Sequence, residues 1–170
     1  YGFVHYEFNT VYRSSQSKNI TSFCKELREC EKHKIEQLLD KALVPTFTIR
    51  SHQLGKVVRE TYERARSLED TSLSFSDTVL LIASGAMDEF KAIINQFYAD
   101  HVEELTEENI GIPPTKLRYT TPLKFKGLEK PNVMLIVKSK IDAHDLVQTY
   151  VGATRAMIGL NVYIWETATV

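Results

Sequence analysis

Cysteine is scarce in this sequence, and its placement argues against disulfide or metal chemistry. The two cysteines, Cys24 and Cys30, lie six positions apart on one predicted helix, which puts them on different faces. We therefore expect buried thiols rather than a disulfide or a metal pair. The five histidines are scattered without the spacing of metal ligands, so no metal site is predicted.

Long apolar runs and an excess of one charge are also missing. No run is long enough to cross a bilayer and no signal-peptide pattern opens the chain, so we expect no membrane contact and a cytoplasmic setting. The net charge is −1, and any basic surface must therefore be local. The chain begins at Tyr1 instead of methionine, which we interpret as a sign that it is part of a longer polypeptide.

A phosphate-binding loop of the form G-x-x-x-x-G-K-[ST] is absent from the 170 residues. Gly55-Lys56 lacks the preceding glycine and lies within a helical pattern. Asp88-Glu89 does not directly follow an apolar strand, and it fits the start of a helix better than a magnesium site. The chain alone is therefore not expected to hydrolyse a nucleoside triphosphate.

Helical and strand-like patterns alternate along the chain, which predicts a single α/β domain with a mostly parallel sheet flanked by helices. The helical patterns are Ile20–Leu38, Leu54–Ala65, Phe90–Tyr98 with an acidic, solvated tail at Glu103–Glu108, and a helix opened by Asp142 that carries Tyr150–Ala156. The strand patterns are Phe47–Ile49, Asp77–Ala83, Leu117–Thr121, Val133–Val137 and Leu160–Trp165, with a further candidate at Tyr1–Thr10.

Three clusters of polar residues lie next to predicted element boundaries: Tyr12-Arg13-Ser14-Ser15, Lys126-Gly127-Leu128-Glu129 and Tyr150–Ala156, which reads YVGATRA. A guanidinium fork suits phosphate oxygens, a carboxylate can accept from a ribose hydroxyl, and a tyrosine ring can stack on a base. Because open α/β sheets bind ligands beside the carboxyl ends of their strands, we expect the clusters at that rim. Together they would form half of a nucleotide site.

These clusters resemble motifs of the second RecA-like domain of UvrD/Rep-type superfamily 1 helicases. VYRSS with the following Ile20 and Phe23 resembles motif IV, T-x-x-x-x-KGLE beginning at Thr121 resembles motif V, and YVGATRA resembles motif VI. Their order matches the family. The resemblance covers about Asn9–Leu27 and Leu117–Glu166, and it implies that residues 1–170 form one RecA-like three-layer sandwich.

The resemblance also implies roles in binding ATP with Mg²⁺. Tyr12 would stack against the adenine, and Arg13 and Arg155 would act as catalytic arginines at the γ-phosphate. Glu129 would bind the ribose, and Gly127 would permit the tight loop before it. The remainder of the site would come from a first RecA-like domain in the same polypeptide or in another chain.

Single-stranded nucleic acid, with DNA expected, is the second implied partner. Thr120 and Thr121 would face the strand, and the charge of Lys124 and Lys126 indicates contacts with its phosphates. Two positions depart from the family pattern: Leu123 stands where members often carry histidine, and Val11 where they often carry asparagine.

Two other interpretations remain open. The chain could be a catalytically degenerate RecA-like module with a regulatory or protein-interaction role. It could also be an unrelated α/β binding module in which the KGLE and TRA residues serve only in turns and packing.

Overall fold

Within the described residues, six strands form one sheet, and every pairing in it is parallel. The structure, a computed structural model, describes residues 18–29, 47–51, 53–68, 75–125, 127–138 and 143–165. The sheet order is β1-β6-β5-β2-β4-β3. The strands are β1 (Phe47–Ser51), β2 (Thr78–Ile82), β3 (Val102–Glu104), β4 (Leu117–Thr120), β5 (Lys130–Lys138) and β6 (Ala156–Trp165).

Helices cover both faces of this sheet. They are α1 (Lys18–Glu29), α2 (Leu54–Ser67), α3 (Met87–Ile93), which continues as a π-helical turn (Ile94–Tyr98), and α4 (Ala143–Ala153). Face one of the sheet packs against α1 and α4, and face two against α2 and α3. The RecA-like three-layer sandwich predicted from the sequence is confirmed in its layers and its parallel sheet.

The central strands are apolar without interruption because both of their faces are buried. In β2 all five residues are buried, with Val79 and Leu81 in the core of face one and Leu80 and Ile82 in the core of face two. A strand covered by helices on both sides gains burial from every residue, which is why its apolar run is continuous rather than alternating.

The direction of the chain decides which face each connection covers. From β1 through β2 to β3 the chain moves one way across the sheet, and the connecting helices α2 and α3 lie on face two. From β4 through β5 to β6 it moves back, and Phe125 and α4 pack on face one. A constant crossover handedness requires this change of face when the direction reverses.

The acidic stretch Glu103–Glu108 is not a helix tail, which corrects the prediction from sequence. Val102–Glu104 pairs with Leu117–Tyr119 as the edge strand β3. The Glu103 Oε2 atom lies 3.2 Å from Arg118 Nε and accepts a hydrogen bond from Asn109 Nδ2 at 3.1 Å. Ladder bonds and this ion pair outweigh the local helical preference of the acidic residues.

Phe97 also differs from the prediction that it lies on the buried face of the third helix. Phe90 and Ile94 are buried as predicted, whereas Phe97 is 66% exposed. The π-helical turn contains more residues per turn than an α-helix, so a residue seven positions after Phe90 no longer returns to the same face.

The last strand begins at Ala156, four residues earlier than predicted, and α4 ends at Ala153 rather than continuing to Ala156. Near its start β6 contains a bulge: Ala156 lies opposite Lys130, and Gly159 lies opposite Asn132, so β6 carries one extra residue there. A Cβ atom on Gly159 would lie 2.6 Å from Asn132 Oδ1, so a larger residue there would require the Asn132 side chain to move.

The remaining sequence predictions divide between confirmed positions and positions outside the described residues. Cys24 is buried, and Asp88 and Glu89 lie in the first turn of α3, both as predicted. Within the described ranges, no helix is long and apolar enough to cross a membrane. The strand candidate at Tyr1–Thr10, Cys30, Ile35 and Leu38 lie outside the described residues.

The buried side-chain amide of Asn161 allows a test of hydrogen bonding in the core. It is fully buried in β6, and among the residues that the structure describes neither its Oδ1 nor its Nδ2 has a hydrogen-bond partner. Because a buried unpaired amide costs free energy, we expect Asn161→Leu to raise the free energy of unfolding by about 1–2 kcal/mol. Urea denaturation measures this, and Asn161→Asp, which buries a charge, should lower the same quantity. Destabilisation by the leucine would contradict this expectation.

Candidate functional site

Glu129 and Arg155 are neighbours at the amino edge of the sheet. Glu129 directly precedes β5 and Arg155 directly precedes β6, and these two strands are adjacent. The Lys130 N–H donates to the Arg155 carbonyl at 3.1 Å, and Arg155 Nη1 donates to the Leu128 carbonyl at 3.4 Å. The structure thus brings the two predicted residues together.

The edge of the sheet at which Glu129 and Arg155 lie is not the one that was expected. The residues were expected beside the carboxyl ends of the strands, where open α/β sheets usually bind ligands. Both instead lie at the amino ends, because each is the last residue before a strand begins.

The Arg155 guanidinium is oriented by its own neighbour in the chain. After α4 ends, the Arg155 N–H donates to the Gly152 carbonyl at 3.1 Å, which forms a tight turn. The Thr154 hydroxyl donates to the Val151 carbonyl at 2.6 Å and accepts from Arg155 Nε at 3.1 Å and Nη2 at 3.0 Å. Thr154 therefore holds one side of the guanidinium fork before any ligand arrives.

The Glu129 carboxylate is only partly solvated. The residue is half-buried, and its Oε2 atom is buried without a hydrogen-bond partner in the described part of the chain. Burial raises the pKa of the Glu129 carboxyl, and the charge of Arg155 acts in the opposite direction. A carboxylate that has lost part of its hydration gains from a ligand that donates a hydrogen bond to it.

The loop before Glu129 is held in place by two short-range features. Phe125 is buried in the core of face one, and its N–H donates to the Thr121 carbonyl at 3.2 Å. Gly127 has a φ of +89°, in the left-handed region that favours glycine. The chain can therefore turn between Phe125 and Glu129 and enter β5 at the amino edge.

The residues predicted to contact nucleic acid lie at the opposite edge, where β4 ends. Thr120 is only 2% exposed, so its side chain is not presented at the surface. The Thr121 hydroxyl is partly exposed and accepts from the Lys124 N–H at 3.3 Å, and Lys124 is exposed. The predicted contacts at Tyr12, Arg13 and Lys126 lie outside the described residues.

A cavity of about 240 Å³ adjoins Glu129, and sequence reasoning missed it. Its walls are mainly apolar and come from residues scattered along the chain, including Phe75, Val79, Leu105, Pro114 and Phe125. No short motif contains such a site, because three separate stretches of the chain, residues 75–79, 105–118 and 125–130, build it.

The polar residues around this cavity are Thr78, Arg118, Glu129 and Lys130. Arg118 is buried and paired with Glu103, as described above, and Lys130 Nζ donates to the Ser76 carbonyl at 2.5 Å. Among the residues that the structure describes, no group of three or more histidine, cysteine, aspartate or glutamate side chains could hold a metal ion.

Comparison with known proteins shows the fold. Twelve solved chains match in structure, and one of them is the C-terminal domain of a possible DNA helicase from Lactobacillus plantarum WCFS1. The TM-score is 0.59 at 18% sequence identity, over 90% of this chain and 88% of that chain. No family model and no curated protein matches the sequence.

The positive φ of Gly127 predicts a cost for any side chain there. A Cβ on Gly127 meets no atom within 4 Å, so Gly127→Ala should lower the free energy of unfolding through backbone strain alone, by about 1–2 kcal/mol. Gly55 is a matched control, because its Cβ also meets nothing and it lies in α2. Gly55→Ala should raise the same quantity by about 0.5–1 kcal/mol. Equal effects of the two substitutions in denaturation experiments would contradict the strain.

The raised pKa of Glu129 predicts a pH-dependent effect of its removal. The folded state raises the pKa of the Glu129 carboxyl above its ordinary value of 4.5, so protonation of this carboxyl stabilises the fold at low pH. This contribution to the free energy of unfolding is fully present below pH 4.5, and it is lost as the pH rises through the raised pKa. Glu129→Gln should therefore stabilise the chain near neutral pH, and the gain should shrink as the pH falls. Thermal unfolding over a pH series measures this, with exposed Glu107→Gln as the control. A gain independent of pH would contradict the burial of the charge.

Proposed function

We propose that this chain is the second RecA-like motor domain of an ATP-dependent superfamily 1 DNA helicase or translocase of UvrD/Rep type. It supplies Arg155 and Glu129 to an ATP site that a first RecA-like domain completes. The observation that carries the proposal is the placement of these two residues side by side at one edge of a parallel sheet, each within the motif that the helicase resemblance assigns to it.

Arg155 is suited to contact a γ-phosphate. Its guanidinium is held by Thr154 and by the Leu128 carbonyl, so little side-chain freedom is lost on binding. A positioned arginine stabilises the charge that develops during phosphoryl transfer. Arg13, in the motif IV cluster, is proposed as its partner.

Glu129 is suited to accept hydrogen bonds from ribose hydroxyls. No described residue donates a hydrogen bond to its Oε2 atom, and burial makes such a donor more favourable. In this proposal Tyr12 stacks on the base, and Gly127 lets the loop bring Glu129 to the edge of the sheet.

Arg155 and Glu129 suit one side of an ATP molecule bound with Mg²⁺, and they do not form a complete ATP site. One arginine and one carboxylate can hold a phosphate and a ribose, but the described residues contain no carboxylate cluster for the metal. Mg²⁺ in such sites neutralises phosphate charge. In this proposal its ligands and the phosphate-binding loop come from the first RecA-like domain.

Single-stranded DNA is proposed to lie along the loop that follows β4. Thr121, Lys124 and Lys126 can contact its phosphates, whereas the burial of Thr120 restricts that residue to supporting the loop. When Arg155 and Glu129 engage the nucleotide, this domain closes against the first domain, and it reopens after hydrolysis. The single-stranded DNA is thereby alternately held and released.

The structural likeness supports this proposal at a coarse level. The solved chain described above is the C-terminal domain of a possible DNA helicase, and the two chains match over most of their lengths. A regulatory module that has lost catalysis is the second candidate. The burial of Thr120 and the exposed Leu123 in place of a motif V histidine favour it.

The proposal predicts that ATP turnover depends on Arg155. In the longer polypeptide, or with the first domain added as a separate chain, single-stranded DNA should stimulate ATP hydrolysis. Arg155→Ala should lower kcat by about a thousandfold and change ATP affinity little, because the arginine acts mainly in the transition state. Turnover and nucleotide binding are measured on the same preparations.

Arg66→Ala is the matched control, because Arg66 is an exposed arginine at the end of α2. It should leave kcat unchanged. Unchanged turnover in Arg155→Ala would remove the assignment of Arg155, and an assembled protein without any turnover would favour the regulatory module.

A further inference from the structure

We propose that the groove between α2 and the π-helical turn is a docking site for an acidic amphipathic helix of a partner protein. The groove has a volume of about 670 Å³ and shares no lining residue with the cavity beside Glu129. One wall is α2, and the other runs from Ile93 through the π-helical turn to His101. The inference goes beyond the proposed function, because it requires neither a nucleotide nor a first RecA-like domain.

The π-helical turn supplies a large apolar side chain to this groove. Phe97 is 66% exposed, and it lines the groove together with Ile93, which is half-buried. Phe90 and Ile94 lie in the core of face two, and the wider π-helical turn directs Phe97 away from them. The surface of the chain therefore carries a phenylalanine that the chain's own core does not use, beside other apolar groups to which a partner can add.

The floor of the groove consists of rings that pack against one another. The ring centroids of Tyr62 and Tyr98 are 5.7 Å apart, and those of Tyr62 and His101 are 5.8 Å apart. Both tyrosines are half-buried and line the groove. Because these contacts join α2 to the opposite wall, the groove is already formed in the free chain, which lowers the conformational cost of binding a partner.

The charges that line the groove come from one side of α2. Arg59, Glu63 and Arg66 are exposed, and their spacings of four and three residues keep them on one face of the helix. The nearby lysines Lys56 and Lys91 are in ion pairs with glutamates at 4.0 and 3.6 Å. Among the residues that the structure describes, neither Arg59 nor Arg66 has such a partner. Two guanidinium groups are therefore available to carboxylates of another protein.

The spacing of the two arginines fits a helical partner. Arg59 and Arg66 are seven residues apart in α2, which corresponds to about 10 Å along the helix axis. Two carboxylates seven residues apart on a partner helix have the same separation, and an apolar side chain between them would meet Phe97. From Gly55 to Arg66 the groove extends about 16 Å, the length of three helical turns. Amphipathic helices bind apolar grooves in this manner.

Glu63 disfavours nucleic acid in the same groove. Its carboxylate comes from a position between the two arginines in α2 and repels phosphates, whereas a nucleic-acid backbone is followed by a continuous basic track. A partner helix can place a neutral or basic side chain opposite Glu63. Charge complementarity therefore points to a helix that is acidic at its contacts with Arg59 and Arg66.

The test titrates the ¹⁵N-labelled 170-residue chain with an alanine-based helical peptide that carries two glutamates seven positions apart and leucines between them. This peptide should give saturable shifts at the amides of Arg59, Glu63, Phe97 and Tyr98, and a peptide with lysines in place of the glutamates should give none. Absence of saturable shifts with the glutamate peptide would overturn the proposal. Shifts at these amides with oligodeoxythymidylate but not with the peptide would also overturn it, by assigning the groove to nucleic acid.

Reversal of the two arginine charges provides the matched comparison. The double variant Arg59→Glu/Arg66→Glu should bind the glutamate peptide about tenfold more weakly and should bind the lysine peptide instead. Phe97→Ala should weaken binding of the glutamate peptide by about tenfold, because apolar burial is lost. Arg28→Glu is the control, because Arg28 is an exposed arginine in the last turn of α1. Equal affinity of the glutamate peptide for all of these variants and the unsubstituted chain would overturn the proposal.

ATP turnover separates this inference from the proposed function. The double variant Arg59→Glu/Arg66→Glu should leave kcat of the assembled ATPase unchanged, whereas Arg155→Ala should lower kcat and leave peptide binding unchanged. Loss of turnover in the double variant would overturn the assignment of the groove to a partner outside the motor. Peptide binding in a protein without any ATP turnover would support the docking site and remove the motor function.

Discussion

The first hydrogen bond of the β5–β6 ladder, from the Lys130 N–H to the Arg155 carbonyl, is the contact on which the candidate site depends. Parallel pairing fixes the register of the two strands, and that register places the residues just before them side by side. The strand register therefore brings Glu129 and Arg155 together. The site is set by backbone geometry, and the side chains need only supply charge and hydrogen-bonding groups.

The predictable parts of the fold were those in which local pattern and burial agree. The apolar runs of β2 and β5 and the helical spacing in α2 identified their elements, because a strand or helix with a buried face shows that face in its sequence. The edge strand β3 was missed because two glutamates favour other structures locally, and only its pairing with β4 and the Arg118 ion pair reveal it.

The placement of Glu129 beside Arg155 was predictable from the sequence, whereas the surroundings of the two residues were not. The pairing of Glu129 with Arg155 follows from their motifs, and their amino-edge position could have been read from the strands that follow each of them. The cavity beside Glu129 could not have been predicted from the sequence, because its walls come from loops whose paths depend on the whole sheet. The exposure of Phe97 was hidden for a similar reason, since a π-helical turn has no simple sequence signature.

The bulge near the start of β6 separates two structural requirements on this strand. Leu160, Val162 and Ile164 must face the core of face one, and Arg155 must remain beside Glu129. The extra residue lies between Ala156 and Gly159. Arg155 precedes this bulge, and the residues of β6 that face the core follow it, so the bulge separates the position of the arginine from the pairing of the core residues. A substitution that changes the packing of β6 can therefore leave the arginine in its place beside Glu129.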